Sequence, residues 1–221
     1  MHKIIAFGCS NTFGQGLPDC YKMEGDIGIG LEKSSQYAWP EVFAKKMKKS
    51  CVNLAQPGSS NRQILWQILN FEYYQPRDCV TILWTFINRS SIIKSQHEIS
   101  QLHIREWSGQ PIENKAWRKY KVETYNEYDE MIRSLHYIDY ADRFLKDRVG
   151  YVMHYVTDNT LLDHKQPYVQ ADIIRNGKLL MTEYPKGLDG VHHGIEGHQA
   201  LGSQAVNDFN NLRKRKIKNE Y

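Results

Sequence analysis

Residues 4–16 read IIAFGCSNTFGQG, and the fold is decided here. Ile4 to Phe7 form an apolar run with no polar interruption, the pattern of a strand covered on both faces. The run stops at Gly8, and a small cluster bearing hydroxyl groups, Cys9-Ser10-Asn11-Thr12, follows at once.

Working outward, further apolar runs alternate with helical spacing. Residues 38–49 place Trp39, Val42, Phe43 and Met47 on one helical stripe, with lysines in the last turn. CVNLAQ (51–56) reads as a second strand. The stretch from Ser59 reads as a helix with serine at its N-cap and Ile64, Leu65, Ile68, Leu69 and Phe71 along one side. CVTILWTF (79–86) is the third and most apolar strand, residues 125–148 return to a helical period, and GYVMHYVT (150–157) is a fourth strand. Asn176-Gly177 marks a tight turn. A helix from Ile195 to about Arg213 closes the chain. Between them lies a polar, aromatic-rich excursion, at about 88–121, with no evident period. Continuous apolar strands alternating with helices imply an α/β domain with a parallel sheet covered on both faces, spanning 1–221. Ligands of such sheets bind beyond the carboxyl ends of the strands, where Ser10 falls.

Composition narrows the function classes. The 221 residues are 41% hydrophobic and 24% charged, with a formal net charge of +4, as in ordinary globular proteins. The basic run Arg213, Lys214, Arg215, Lys216 and Lys218 reads as a solvated helix end whose cations suit the helix dipole, so no nucleic-acid partner is expected. The four cysteines lack metal-type spacing, and Cys51 and Cys79 open apolar runs as core residues would. No stretch has the form of a secretory signal or the length of a membrane span. A cytoplasmic, soluble protein is the default expectation, with a virus particle as the alternative location.

A serine becomes a nucleophile when a base takes its proton and a third group orients that base. His97 and His103 lie in the excursion, and His136 and His154 in patterned elements. GLDGVHHGIEGHQALG (187–202) differs: Asp189 and His192 stand three apart in a glycine-rich turn before the last helix. A turn of that length can fold the carboxylate onto the imidazole.

FGCSNTFGQG resembles the first block of the SGNH or GDSL hydrolases, Gly-Asp-Ser-x-Thr-x-Gly, with Cys9 in place of the aspartate. DGVHHGIEGH resembles the last block, with Asp189, His192 and the Gly197-His198 pair; VNLAQPGSSN resembles the second, with Gly58 as its oxyanion glycine. The resemblance implies a flavodoxin-like three-layer α/β/α fold with about five parallel strands. It also implies a serine esterase without cofactor or metal, acting on a small-molecule or carbohydrate ester. Ser10 would be the nucleophile, His192 the base and Asp189 its orienting group, with oxyanion donors from Ser10, Gly58 and Asn88. Cys9 would be a buried packing residue pointing away from the site. The third block departs from the family's Gly-x-Asn-Asp: LWTFINRSS puts Ile87 on the asparagine position and Asn88 one residue late. A bulge would bring Asn88 into place; otherwise Asn11, Asn61 or Arg89 completes the hole, or it has two donors.

Three readings compete. Asp189, His192, His193 and His198 have zinc-ligand chemistry, although adjacent histidines rarely share one ion. The α/β-hydrolase elbow, Gly-x-Ser-x-Gly, has Thr12 against its last glycine. A catalytically inactive carbohydrate-binding module would use Trp107, Trp117 and Tyr120 of the excursion for stacking on sugar rings.

Overall fold

A computed structural model describes residues 1–24, 27–93, 99–103, 119, 123–165, 169 and 171–219. The first apolar run becomes β1 (Lys3–Gly8), with Ile4 to Phe7 wholly buried. Successive side chains of a strand face opposite ways. Ile5 and Phe7 accordingly join one core and Ile4 another, on the other face.

β1 pairs in parallel with β4 (Ser50–Asn53) on one side and β5 (Cys79–Trp84) on the other. β8 (Tyr151–Val156) and β9 (Ile173–Asn176) extend the sheet, giving the order β4-β1-β5-β8-β9. In order along the chain these are strands 2-1-3-4-5, the flavodoxin-like order whose direction of winding reverses between β1 and β5. Five parallel strands and the three-layer arrangement agree with the expectation from sequence.

Two helices cover each face. On the Ile5 and Phe7 side, α3 (Asn61–Asn70) buries Ile64 and Ile68, and α4 (Glu127–Lys146) buries Leu135, Ile138 and Leu145. On the Ile4 side, α2 (Trp39–Lys46) buries Trp39 and Phe43, and α7 (Ile195–Asn219) buries Leu201, Ala205 and Phe209. Ser60 caps α3, its hydroxyl accepting the Gln63 N–H at 3.2 Å. Buried polar groups tie the layers together. Trp84 Nε1 donates to His154 Nδ1 at 3.1 Å, and His154 Nε2 meets Asp142 of α4 at 3.3 Å. Tyr155 and Arg175 both donate to Asp208 of α7.

Some boundaries differ from the sequence reading. The second strand ends at Asn53, because Leu54 and Gln56 bond to the carbonyls of Ala6 and Gly8 while the chain turns away. Cys51, expected in the core, is half-buried because β4 is an edge strand, whereas Cys9, Cys20 and Cys79 are buried; all four are free thiols. The last helix continues to Asn219, with Arg213 to Lys218 exposed along it. Two antiparallel hairpins are additions: β2 (Tyr21–Glu24) with β3 (Ile27–Gly30), and β6 (Arg89–Ile93) with β7 (Ile99–His103). The second occupies the start of the aromatic excursion; Trp107, Trp117 and Tyr120 lie outside the described residues. Among the described residues no helix is long and apolar enough to cross a membrane.

Candidate active site

Ser10 opens the four-residue α1 (Ser10–Phe13) immediately past β1, at the carboxyl edge where the winding reverses. The turn needs glycine before it. A Cβ on Gly8 would lie 2.2 Å from Thr12 Oγ1, so no larger residue fits there without moving Thr12. Cys9 is fully buried, and Ser10 is 3% exposed.

Two other segments are hydrogen-bonded to the stretch from Gly8 to Gly16, and the turn after β5 adjoins it across the sheet. The second-block loop is held by Gln56 N–H on Gly8 O at 3.1 Å and by Asn53 Nδ2 on Thr12 O at 2.8 Å. Gly58 follows in this loop, in the left-handed region at φ +82°. The third-block turn is fixed by Asn61: its Oδ1 accepts the Thr85 N–H at 2.7 Å, and its Nδ2 donates to Thr85 O and Ser134 Oγ at 3.1 and 3.0 Å. Both amide hydrogens of Asn61 are thus committed, and the residue serves as a clamp on the turn. Asn88 is exposed, and Arg89 donates to Thr85 Oγ1 at 3.0 Å.

The third segment is the last block. Leu188 N–H donates to Gly16 O at 2.8 Å, while Ser10 O accepts from Gly14 and Gln15. Gly16, at φ +88°, leaves the space that Asp189 fills: a Cβ there would sit 2.7 Å from Asp189 Oδ1. Two ends of the chain therefore meet through a contact that only glycine permits.

Asp189 accepts three hydrogen bonds. The Val191 and His192 N–H groups reach Oδ1 at 2.9 Å each, and His192 Nδ1 reaches Oδ2 at 2.6 Å. Burial pushes the carboxyl's pKa up, but these donors outweigh it and hold it below the usual carboxylate value. With Nδ1–H donated to Asp189, neutral His192 keeps the Nε2 lone pair for a proton. An imidazole held in this way can act as a general base.

The neighbouring histidines are built differently. His193 is 1% exposed, and its backbone pairs with that of Lys186 in an antiparallel β-bridge; burial, then Lys186 and Lys178, lower its pKa to about 4. His198 is wholly buried, and its Nδ1 accepts the Trp39 N–H at 3.1 Å. Burial, then His193 and His192, lower its pKa to about 3. Both are neutral structural groups. Among the described residues no cluster of three His, Cys, Asp or Glu side chains is arranged to hold a metal ion.

No protein-family model and no curated protein matches the chain. Solved structures do share its architecture. Est2A, an acetyl xylan esterase from the rumen bacterium Butyrivibrio proteoclasticus, superposes with a TM-score of 0.57 at 12% identity. The alignment covers 96% of this chain and 64% of Est2A. A member of the lipolytic protein G-D-S-L family from Veillonella parvula superposes at 0.50 and 12% identity, over 95% of this chain and 99% of that protein. The chain shares their three-layer α/β/α fold. A carbohydrate esterase described as displaying divergent catalytic and non-catalytic binding functions aligns at 0.54 and 11% identity. That alignment covers 95% of this chain and 65% of that one, so this chain spans slightly under two thirds of two of the three. At these identities the likeness is one of fold.

Proposed function

We propose that this chain is a serine esterase cleaving a small acyl group, with an O-acetylated carbohydrate as the first substrate class. Ser10 Oγ attacks the acyl carbonyl and passes its proton to His192 Nε2. The tetrahedral intermediate collapses, the ester C–O bond breaks, and the leaving alkoxide takes the proton from His192. Water repeats the sequence on the acyl-Ser10 ester. Asp189 orients His192 and stabilises its imidazolium, while the backbone N–H groups of Ser10 and Gly58, with Asn88, receive the oxyanion.

One observation carries this reading. The Asp189–His192 pair, 2.6 Å apart, belongs to a loop hydrogen-bonded through Leu188 to Gly16, just past Ser10. The esterases that share the fold support the reaction class, and an acetyl xylan esterase among them supports the acetyl-sugar choice. A binding module without catalysis is the second reading, favoured by Asn88, which stands exposed one residue from the family's donor position. A fluorophosphonate probe separates them. It should label the wild type and not Ser10→Ala; labelling that persists in the variant removes Ser10 from the chemistry. Sugar binding by a protein that takes no label establishes the module.

A further inference from the structure

Three cations, Arg89, Lys178 and Lys186, stand at the carboxyl edge of the sheet, with no acid paired to them among the described residues. Phe86 follows β5, and two of the cations share its ring. The Lys178 ammonium is 4.4 Å from the ring centroid and the Arg89 guanidinium carbon 5.4 Å. Both are within cation–π range. Lys178 is the half-buried N-cap of α6 (Leu179–Thr182), just beyond β9. Lys186, exposed, pairs through its backbone, in an antiparallel β-bridge, with His193, the residue after His192.

Among the described residues, none of Arg89, Lys178 and Lys186 forms an ion pair. Burial lowers the Lys178 pKa, and Lys186 and Arg89 lower it further, against the opposing influence of Cys9 and Asp158. Asp158 is already engaged, accepting the Thr160 N–H at 3.0 Å. Arg89 donates to Thr85 Oγ1 at 3.0 Å, and Thr85 and Phe86 leave β5 just past Leu83, the partner of Gly8 across the sheet, two residues before Ser10. Like charges gathered on one apolar ring and partly stripped of water repel one another. A bound anion reverses that cost, and a basic patch of this kind also concentrates anions from solution.

We infer that the ester substrate is itself an anion: an acylated sugar acid whose carboxylate lies against Arg89, Lys178 and Lys186. This inference rests on the esterase reading above and names the substrate class of that same site.

The test compares O-acetylated glucuronate with O-acetylated glucose, which differ by a carboxylate in place of a hydroxymethyl group. Wild type should favour the acid by about tenfold or more in kcat/KM, as a hydrogen-bonded charge pair provides. That preference should shrink as salt rises from about 0.02 to 0.5 M. In Lys178→Gln and in Lys186→Gln the acid-to-neutral ratio should fall severalfold. If Lys178→Gln does not fold, exposed Lys186 and the salt series decide. Equal or reversed preference in wild type, or a preference indifferent to salt and to both substitutions, overturns the inference. Failure of the esterase reading looks different: no hydrolysis of p-nitrophenyl acetate that depends on Ser10. In that event calorimetric binding of free glucuronate still decides. Binding weakened by salt and by Lys178→Gln upholds the charge assignment, and no binding, or binding indifferent to both, ends it.

Discussion

Asp189 is held by its own turn in the position from which it meets His192. Two backbone N–H groups hold Oδ1, which leaves Oδ2 aimed at His192 Nδ1. Replacing Asp189 with Asn keeps the shape and lets the side chain donate to Nδ1, which then moves the imidazole proton to Nε2. The base is thereby in the wrong tautomer. The expected loss in kcat on an alkyl ester is about 10²–10⁴-fold, with the fold retained by near-ultraviolet circular dichroism. A variant within tenfold of wild type would show that Asp189 has no orienting role. At this scale much was legible. Gly8 before Ser10 and the three-residue step from Asp189 to His192 are short-range patterns, and both sit as their spacing implied. Asn61 was not legible in its actual role: as a residue of an N-terminal helical turn it offers no sign that its amide closes on Thr85, a partner in another element.

Elements came through where their cause is local. The longer helices follow apolar stripes and caps, and β1, β5 and β8 follow predominantly apolar runs. The two hairpins were missed because their strands are short and their pairing partners, not their own pattern, define them. The junction of α3 with the exit of β5 rests on the Asn61 clamp, both partners being buried. Asn61→Ala leaves the Thr85 N–H and C=O without these partners. The unfolding free energy should drop by about 1–3 kcal/mol, seen as a lower urea midpoint with an unchanged m-value. A shift under about 0.5 kcal/mol would mean that other groups satisfy Thr85.

For the whole molecule, the two buried histidines link stability to pH. His193 and His198 have folded pKa values of about 4 and about 3, below the roughly 6.5 of an unfolded histidine. Below pH about 6.5 the unfolded chain takes up protons that the folded chain refuses, so stability falls with pH until the folded values are reached. Asp189 acts in the same direction at lower pH, its contribution present above about 3.9 and lost as pH drops through its folded value. Between pH 6.5 and 5 each histidine should remove up to about 2 kcal/mol of unfolding free energy in denaturant titrations. His198→Gln, which can still accept the Trp39 N–H, should lose about half of that slope; an unaltered slope would place the titration elsewhere. The sequence by itself determined the layer architecture, the serine beyond the first strand and the Asp-His turn, because side-chain period and turn chemistry act between near neighbours. Tertiary structure alone decided that Gly16 meets Leu188 and Asp189, that Asn61 holds Thr85, and that Arg89 and Lys178 share Phe86. Those contacts depend on which strands adjoin and on where their loops emerge, and strand order is a property of the assembled sheet rather than of any one stretch of chain.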